Sequence, residues 1–244
     1  MDRAYVAVHM QEDRAHWWFR GRRAVLVALL RRRLPAGRHR LLELGCGTGN
    51  MLEALAAFGE TLGMEPDETL VAAARGAGLD VRRGALPHDR VVPAGWPDVV
   101  LFLDVLEHLD DDVGALRELR RVLKPGGRVF VFAPAHRWLW SLQDDISHHK
   151  RRYVARSLRD AVIAAGLNLE RQSYVSTFLL PVIYLGRQWL KVRRRFHEYD
   201  TENDLHPRWS NGVLRRIFEL EIPVLRRTDM PFGASLLCVA RRPE

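Results

Sequence analysis

The hydrophobic pattern of the chain changes near residue 40. Before this point, apolar residues recur at i, i+3 and i+4, which places them on one face of a helix. The spacing predicts a helix from about Ala4 to Arg33, which Pro35-Ala36-Gly37 ends. The apolar face of this helix comprises Val25, Leu26, Leu29 and Leu30.

After residue 40, short apolar runs alternate with amphipathic segments. The predicted strands are Arg40–Leu44, Thr61–Met64, Asp80–Arg83, Asp98–Leu103, Arg128–Ala133, Leu169–Val175 and Ala234–Ala240. The predicted helices are Met51–Phe58, Asp67–Arg75, Leu109–Leu123 and Ala155–Ala165. Alternation at this length predicts an α/β fold built from βαβ units on a parallel sheet.

Composition narrows the class of protein. At 244 residues the chain is long enough for one sizeable core. Its two cysteines, Cys46 and Cys238, cannot build a disulfide framework, and no signal peptide opens the sequence, so we expect a cytoplasmic protein. The longest apolar run, from Thr177 to Leu185, is too short to span a membrane. The net charge of +8 is carried almost entirely by arginine, and we attribute it to a coding bias rather than to an acidic partner.

A glycine-rich turn follows the first predicted strand. It has the form Glu43-x-Gly45-x-Gly47-x-Gly49, and glycine permits the positive φ angles and the close ligand approach that such a turn needs. A dinucleotide fingerprint would have its third glycine at position 50, where this chain has Asn50. Glu65 ends the second strand about twenty residues later, the distance at which an acid accepts the ribose hydroxyls of a nucleotide cofactor. The neighbouring Asp67 suits the N-cap of the next helix.

Two further segments follow in the order known from one enzyme family. Val105-Leu106-Glu107-His108 comes after the fourth strand, and Lys124-Pro125-Gly126-Gly127 precedes the fifth. Together with the glycine loop, they closely resemble the class I S-adenosylmethionine (SAM)-dependent methyltransferases of the small-molecule type, over residues 41–167. The resemblance implies a Rossmann-like, seven-stranded, mostly parallel sheet with helices on both faces and an antiparallel final strand. It also implies SAM as the cofactor and S-adenosylhomocysteine as the product.

On this basis we divide the chain into four segments. Residues 1–36 form an N-terminal helical cap, and residues 37–176 form the SAM-binding Rossmann-like core. Residues 177–232 form a helical insertion, a lid that binds the acceptor, between the last two strands. Residues 233–244 return to the core as its final strand.

The resemblance also implies which residues hold SAM. The acid before the first glycine suits the ammonium of the cofactor, and in related enzymes an aromatic segment followed by arginine folds over it. We assign Trp18 and Arg22 to that role, with Arg22 pairing the methionine carboxylate. In the alternative, the tryptophans only anchor the cap helix and the arginines are solvated. The expected cofactor contacts are Trp18, Arg22, Glu43, Gly45, Cys46, Gly47, Asn50, Glu65, Pro66, Ala85, Leu86, Asp104 and Val105.

The sequence departs from the family at the adenine site. Relatives usually carry an acid after the third strand that bonds the adenine amino group, whereas this chain has Gly84-Ala85-Leu86-Pro87. The backbone of Ala85 and Leu86 is then left to hold the ring edge, unless Asp89 takes the place of the acid.

His149 is the candidate general base. It lies in His148-His149-Lys150-Arg151-Arg152-Tyr153, beyond the fifth strand, in the loop that overhangs the methyl group in this fold. A histidine with an ordinary pKa of about 6.5 can take a proton from an acceptor hydroxyl at neutral pH. In the alternative, transfer needs only in-line positioning, and His149 holds the loop shut.

Asp104, Glu107 and His108 are spaced to share one helical face and carry side chains that suit a divalent ion. Some relatives with Glu-x-x-Glu-His at this point bind magnesium, including ubiquinone-pathway and small-RNA methyltransferases. Here the first position is Asp104, and most proteins with Val-Leu-Glu-His use it without metal. We therefore assign no metal, with magnesium as the open alternative.

The segment from Phe178 to Arg195 is apolar, then aromatic, then basic. Such a segment forms a lid over a hydrophobic acceptor or lies peripherally on an anionic membrane through residues 178–195. Both interpretations favour a hydrophobic acceptor. The turns His206–Trp209 and Asp229–Gly233 are expected to frame its pocket. The expected acceptor contacts are His108, His136, Tyr153 and Tyr184.

The sequence thus predicts a SAM-dependent methyltransferase acting on a small, hydrophobic or lipid-like molecule of the natural-product, quinone or isoprenoid type. Methylation of RNA is one alternative, supported by the positive charge but not by any appended RNA-binding motif. A non-catalytic SAM-binding module for protein interaction or membrane association is the other. The oligomeric state and the acceptor atom are not predicted.

Overall fold

The computed structural model describes residues 13–85, 89, 92–193 and 209–244. Within them, seven strands form one sheet in the order β3-β2-β1-β4-β5-β7-β6. The strands are His39–Leu44 (β1), Gly59–Glu65 (β2), Val81–Arg83 (β3), Val99–Leu103 (β4), Arg128–Pro134 (β5), Asn168–Val175 (β6) and Ser235–Arg241 (β7). Strands β1 to β5 pair in parallel, and β7 runs antiparallel between β5 and β6. The predicted fold class is confirmed.

Helices lie on both faces of this sheet. They are Trp17–Arg33 (α1), Asn50–Leu55 (α2), Glu68–Gly76 (α3), Asp112–Val122 (α4), Leu142–Ile146 (α5), Ala155–Ala164 (α6), Leu180–Arg193 (α7), Ser210–Glu219 (α8) and Glu221–Leu225 (α9). Short 3₁₀ turns span Ala56–Phe58, Leu106–His108 and Arg137–Leu139. Among these elements, α7, α8 and α9 fall between β6 and β7 in the chain. The division into cap, core and insertion stays a proposal.

Two helix starts differ from the sequence prediction by more than one residue. The N-terminal helix begins at Trp17, because His16 has extended backbone (φ −69°, ψ 138°) and its side chain accepts from the Trp18 amide. Residues 13–15 are helical as well, and residues 4–12 of the predicted helix lie outside the described residues. Helix α4 begins three residues later than Leu109, because the Asp111 carboxylate caps it by accepting from the Gly114 amide at 2.7 Å.

The central strands are apolar on both sides. All five residues of β4 are buried, which explains why its sequence is a continuous apolar run rather than an alternation. Val100 and Phe102 pack into one half of the core, with helices α4 and α6, while Val99 and Leu101 pack into the other, with α1 and α8. The parallel strands are therefore packed on both faces, and the loops that follow them lie together at the carboxyl edge of the sheet.

The N-terminal helix α1 is held against α8. The Trp17 amide donates to the Asn211 side chain at 2.9 Å, and the Trp17 ring packs edge-on against Phe218 with 6.2 Å between ring centroids. Gly21 lies where the helices come closest, since a Cβ built there would be 2.3 Å from the Phe218 ring. Helices α1 and α8 therefore pack directly against each other.

In the described part of the chain, no helix combines the length and apolar character that crossing a membrane requires.

Candidate active site

The glycine loop joins β1 to α2 at the carboxyl ends of the parallel strands. The strand that follows β1 and the strand that follows β4 lie on opposite sides of this central pair, and α/β proteins bind ligands at such a point. Gly45, Gly47 and Gly49 have φ angles of 69°, 56° and 81°, a region that favours glycine. A Cβ at Gly45 would also lie 2.6 Å from the Val105 side chain. The loop can therefore follow this path only with glycine at these positions.

Glu65 ties the end of β2 to the glycine loop. Its carboxylate accepts from the Gly47 amide at 2.9 Å and from the Asp67 amide at 3.1 Å. Burial raises the pKa of Glu65, and these two backbone hydrogen bonds oppose the shift. Asp67 caps α3 through the amides of Thr69 and Leu70, which confirms its predicted N-cap role. The ribose contact of Glu65 stays a prediction.

Glu43 is a buried carboxylate with an unused oxygen. It lies in β1 just before the loop, is 3% exposed, and its Oε2 makes no hydrogen bond within the described residues. Burial raises the pKa of Glu43 to about 8, although nearby Arg22 opposes the shift. An orphaned acid in a buried position is costly unless a cation binds it. The site thus fits the ammonium group of SAM.

The cap contributes a charged side chain to this edge. Arg22 forms an ion pair with Asp104, which follows β4 and has a left-handed φ of 53°. The Arg22 side chain is 13% exposed, so the alternative of a solvated arginine does not describe it. The Trp18 ring lies between Phe132 and Phe218, with centroid distances of 5.9 and 5.6 Å. Contact of Trp18 and Arg22 with SAM stays a prediction.

Three of the expected cofactor contacts have other partners in the structure. The Asn50 side chain donates to the Asp13 carbonyl at 2.6 Å and accepts from Arg23, so it joins the cap to the loop. Cys46 is buried, its thiol donates to the Gly47 carbonyl at 4.0 Å, and burial raises the pKa of the thiol. The Ala85 amide donates to the Asp89 carboxylate at 2.8 Å. Pro66 adjoins Glu65, and Leu86 lies outside the described residues.

A second polar cluster surrounds His149, beyond β5. His149 Nδ1 lies 2.8 Å from Asp144 Oδ1. Asp144 is fully buried and also accepts two hydrogen bonds from Arg152, at 2.7 and 2.8 Å, and one from the Ser141 amide at 2.8 Å. Burial alone would raise the pKa of Asp144, but the hydrogen bonds from His149 and Arg152 outweigh it and lower the pKa. Asp144 is therefore an anion that orients the imidazole.

Sequence reasoning missed Asp144 as a functional residue. The available signal was Ser141-x-x-Asp144, a capping-box spacing at the start of α5, five residues before His149. The capping box holds the carboxylate in place, and the turn after α5 brings His149 back to it.

Glu107 faces the other nitrogen of His149. Glu107 is fully buried, and neither of its carboxylate oxygens has a hydrogen-bond partner among the described residues. Its Oε1 lies 3.9 Å from His149 Nε2. Burial and the charge of Asp104 raise the pKa of Glu107 well above its usual value. The neighbouring His108 packs edge-on against His149, and burial lowers the pKa of His108 to about 4.

The predicted shared helical face of Asp104, Glu107 and His108 is wrong. Asp104 has a positive φ and pairs with Arg22, and the 3₁₀ turn begins only at Leu106. The side chains that converge are Glu107, His108 and His149, whose ligand atoms lie within 4.8 Å of one another. By chemical type, these three could hold a divalent ion.

The expected acceptor residues separate into two groups. His136 is stacked between Tyr174 and Trp138, with centroid distances of 5.0 and 5.3 Å, and it has a strained φ of 57°. Tyr184 on α7 packs edge-on against the same Trp138 at 5.7 Å. These side chains form an aromatic group beside the loop that carries His149.

Tyr153 belongs to the core instead. It is 3% exposed, packs within the apolar cluster and donates its hydroxyl to Asp112 at 2.9 Å. Burial raises the pKa of Tyr153 further from neutrality. This placement corrects the expected acceptor contact, because the hydroxyl is already used to anchor α4.

Comparison with known proteins agrees with this geometry. A family model described as a methyltransferase domain matches residues 10–172. A probable SAM-dependent methyltransferase of Mycolicibacterium smegmatis is 34% identical over 161 residues, covering 64% of this chain and 61% of that protein. A ubiquinone biosynthesis O-methyltransferase of Marinobacter nauticus is 28% identical over 188 residues, covering 68% of this chain and 79% of that one. The chain thus spans about three fifths of the length of the Mycolicibacterium relative.

A solved structure supports the fold. The SAM-dependent methyltransferase of Archaeoglobus fulgidus superposes with a TM-score of 0.57 at 20% identity, covering 98% of this chain and all of the other. At that identity the likeness concerns the fold alone. The family match covers more than half of the chain and includes the glycine loop, Glu65 and the Glu107–His108 turn. This protein therefore belongs to the methyltransferase-domain family of class I SAM-dependent methyltransferases.

Proposed function

We propose that this protein transfers the methyl group of SAM to a small, hydrophobic or lipid-like acceptor of the natural-product, quinone or isoprenoid type. When bound, SAM supplies an electrophilic methyl group on a positively charged sulfonium. The observation that carries the cofactor half of the proposal is the buried Glu43 carboxylate with its unused oxygen beside the glycine loop.

Four residues would hold the cofactor in this proposal. Glu43 accepts from the ammonium, and Arg22 pairs with the methionine carboxylate after exchanging one of its bonds with Asp104. Glu65 accepts from the ribose hydroxyls with the lone pairs that the Gly47 and Asp67 amides leave unused. Only Arg22 gives up an existing bond, whereas Glu43 and Glu65 offer acceptor positions that are unused, and charge-assisted hydrogen bonds of this kind favour binding of a charged ligand.

His149 acts as the general base in this proposal. Its Nδ1 donates to the Asp144 anion, which leaves Nε2 with the lone pair that can accept a proton from an acceptor hydroxyl. Asp144 fixes the tautomer and stabilises the imidazolium that forms. The alternative, in which His149 only holds the loop closed, predicts that its replacement changes binding rather than turnover.

The acceptor side rests on the aromatic group beside this loop. His136, Trp138 and Tyr184 present ring faces and edges that suit a flat or isoprenoid molecule. His108, edge-on to His149, would border the same space. We also propose that the protein works in the cytoplasm on a small-molecule acceptor and that nucleic acid is not its substrate.

Calorimetric titration with SAM and S-adenosylhomocysteine tests first whether the protein binds the cofactor. We expect micromolar binding by the wild type and its loss in Glu65→Ala and Gly47→Val, since one removes the ribose acceptor and the other places a branched side chain at a positive φ. Circular dichroism verifies that both variants fold. Absence of binding by the wild type would refute the proposal and favour an interaction module.

An acceptor screen with radiolabelled SAM then tests the proposed class of acceptor. Hydrophobic phenols and prenyl or polyketide compounds are expected to accept the label, in a reaction that varies little with salt. Labelling of RNA with a steep fall in activity as salt increases would instead support the RNA alternative.

A further inference from the structure

Helix α7 carries apolar residues on two faces, of which one is buried and the other is exposed. Leu190 is buried, and Leu179, which lies one residue before the helix, is buried in the same half of the core as α1 and α8. The opposite face carries large apolar side chains that are 44–65% exposed. We call this face the apolar stripe; it comprises Phe178, Val182, Leu185, Trp189 and Val192.

The spacing of the stripe is that of one continuous helical face. Its four helical members, Val182, Leu185, Trp189 and Val192, follow one another at intervals of three, four and three residues, so they line up along one side of α7, and Phe178 lies in the turn just before the helix. From Val182 to Val192 the stripe is roughly 15 Å long at 1.5 Å per residue. Single exposed apolar residues are ordinary, but an aligned row of them marks an interaction surface.

Neighbouring aromatic residues extend the stripe toward the site. Trp138 is 53% exposed and contacts Tyr184. The Phe232 ring is also exposed. The backbone carbonyl of Phe232 accepts from the hydroxyl of Thr177, the residue before the stripe. Arg187 donates to the Leu139 carbonyl, which attaches α7 to the turn after β5. These contacts attach the helix that carries the stripe to the segment that follows β5.

The charges around the stripe favour one kind of occupant. Helix α7 contains no acidic residue, Lys191 is exposed near its end, and the sequence continues with Arg193-Arg194-Arg195. If two copies of α7 paired in parallel, their basic ends would repel each other. If they paired antiparallel, the basic ends would meet the apolar starts. Neither arrangement supplies an anion, whereas a bilayer that contains anionic lipid offers hydrocarbon and negative headgroups together.

We propose that the apolar stripe of α7 lies on the surface of an anionic lipid bilayer, with Phe178, Val182, Leu185, Trp189 and Val192 inserted among the acyl chains and the basic end of the helix at the headgroups. Aromatic residues at the border of the surface suit the interface, where one side is apolar and the other is wet. The docking surface stands without the methyltransferase activity; only its use, to reach an acceptor dissolved in lipid, rests on the proposed function.

Vesicle sedimentation tests this surface with the full chain. The wild type is incubated with phosphatidylcholine vesicles, with and without phosphatidylglycerol, and the pelleted fraction is measured. The stripe variant is Val182→Gln combined with Leu185→Gln, which removes apolar area without changing charge. The matched control is Ile163→Gln, because Ile163 is 57% exposed on α6 and Leu185 is 65% exposed on α7. Circular dichroism and SAM binding establish that each variant is folded.

We expect the wild type to bind vesicles that contain phosphatidylglycerol, the stripe variant to bind them at least about tenfold more weakly, and the control to match the wild type. Lys191→Gln should weaken binding to the anionic vesicles while leaving any residual binding to phosphatidylcholine unchanged.

Two results would overturn the proposal. One is equal binding by wild type and stripe variant, which would place the lipid contact elsewhere. The other is a wild type that does not bind vesicles but forms a dimer in analytical ultracentrifugation, while the stripe variant stays monomeric. The stripe would then be an interface between two copies of the chain. Either result leaves the calorimetric test of SAM binding unaffected, so failure of this proposal and failure of the proposed function are distinguishable.

Discussion

Asp144 Oδ1 lies 2.8 Å from His149 Nδ1, and the carboxylate is fully buried with its remaining lone pairs taken by Arg152 and the start of α5. The capping box at the start of the five-residue helix α5 thus holds the carboxylate that orients the imidazole. The pair has the arrangement in which a carboxylate selects one histidine tautomer and stabilises its protonated form.

Replacement of His149 by Gln should lower turnover of a hydroxyl acceptor by about 10²–10⁴-fold, the usual contribution of a general base. SAM affinity should stay at the wild-type value. The measurement is single-turnover methyl transfer together with calorimetry, and His148→Gln, the exposed neighbour, serves as the control. Unchanged turnover with altered acceptor affinity would support the loop-holding role instead.

Asp144→Asn should lower turnover as well and in addition destabilise the protein. The asparagine amide keeps the shape of the side chain but lacks the negative charge that pairs with Arg152 and His149. Breaking such a buried ion pair lowers the free energy of unfolding by about 3–5 kcal/mol. Thermal unfolding and turnover are measured on the same samples. A variant with normal turnover below its melting temperature would assign Asp144 to structure alone.

Glu43→Gln should abolish SAM binding and yet stabilise the protein without ligand. Because burial raises the pKa of Glu43 from 4.5 to about 8, the folded state holds a proton that the unfolded state loses. The stability from this group is complete below pH 4.5 and declines as pH rises toward 8. The variant should thus gain on the order of a few kcal/mol over the wild type at pH 8 and little at pH 4.5. Denaturant titrations at both pH values measure the difference, and a constant difference would contradict it.

Gly21→Ala should destabilise the contact between α1 and α8. Its new methyl group would lie 2.3 Å from the Phe218 ring, and overpacking of this kind costs about 1–3 kcal/mol. The control is Gly212→Ala on α8, where a Cβ meets nothing within 4 Å and alanine favours the helix. Melting temperatures should fall for the first variant and stay or rise for the second. Equal melting temperatures would show that α1 adjusts without loss.

Removal of divalent ions should leave methyl transfer unchanged. The sulfonium leaves as a neutral thioether, so no developing negative charge at the leaving group requires a Lewis acid, and positioning supplies most of the acceleration. Activity is measured before and after EDTA, with magnesium restored at the end. Loss that magnesium reverses would show that a divalent ion is required, with Glu107, His108 and His149 as its candidate ligands, and would correct our proposal.

The sequence alone determined the fold class and the position of the glycine loop. Central strands buried on both faces must be apolar throughout, so β4 could be located as a run of five apolar residues. A strand that turns over a ligand requires glycine at positive φ, so Gly45, Gly47 and Gly49 marked the loop. These are local requirements, and each leaves a local trace in the sequence.

The tertiary structure decided which side chains meet. Arg22 and Asp104 pair across 82 positions, and their sequence neighbourhoods do not reveal this contact. Asp104 does not lie on the expected helical face, because its backbone is left-handed. The residue that lies beside Glu107 and His108 is His149. Likewise, α7 carries apolar residues on two faces, and only its placement in the folded chain determined that Leu190 is buried and Leu185 is exposed. Long-range packing has no period in the sequence, so these contacts follow only once the chain has folded.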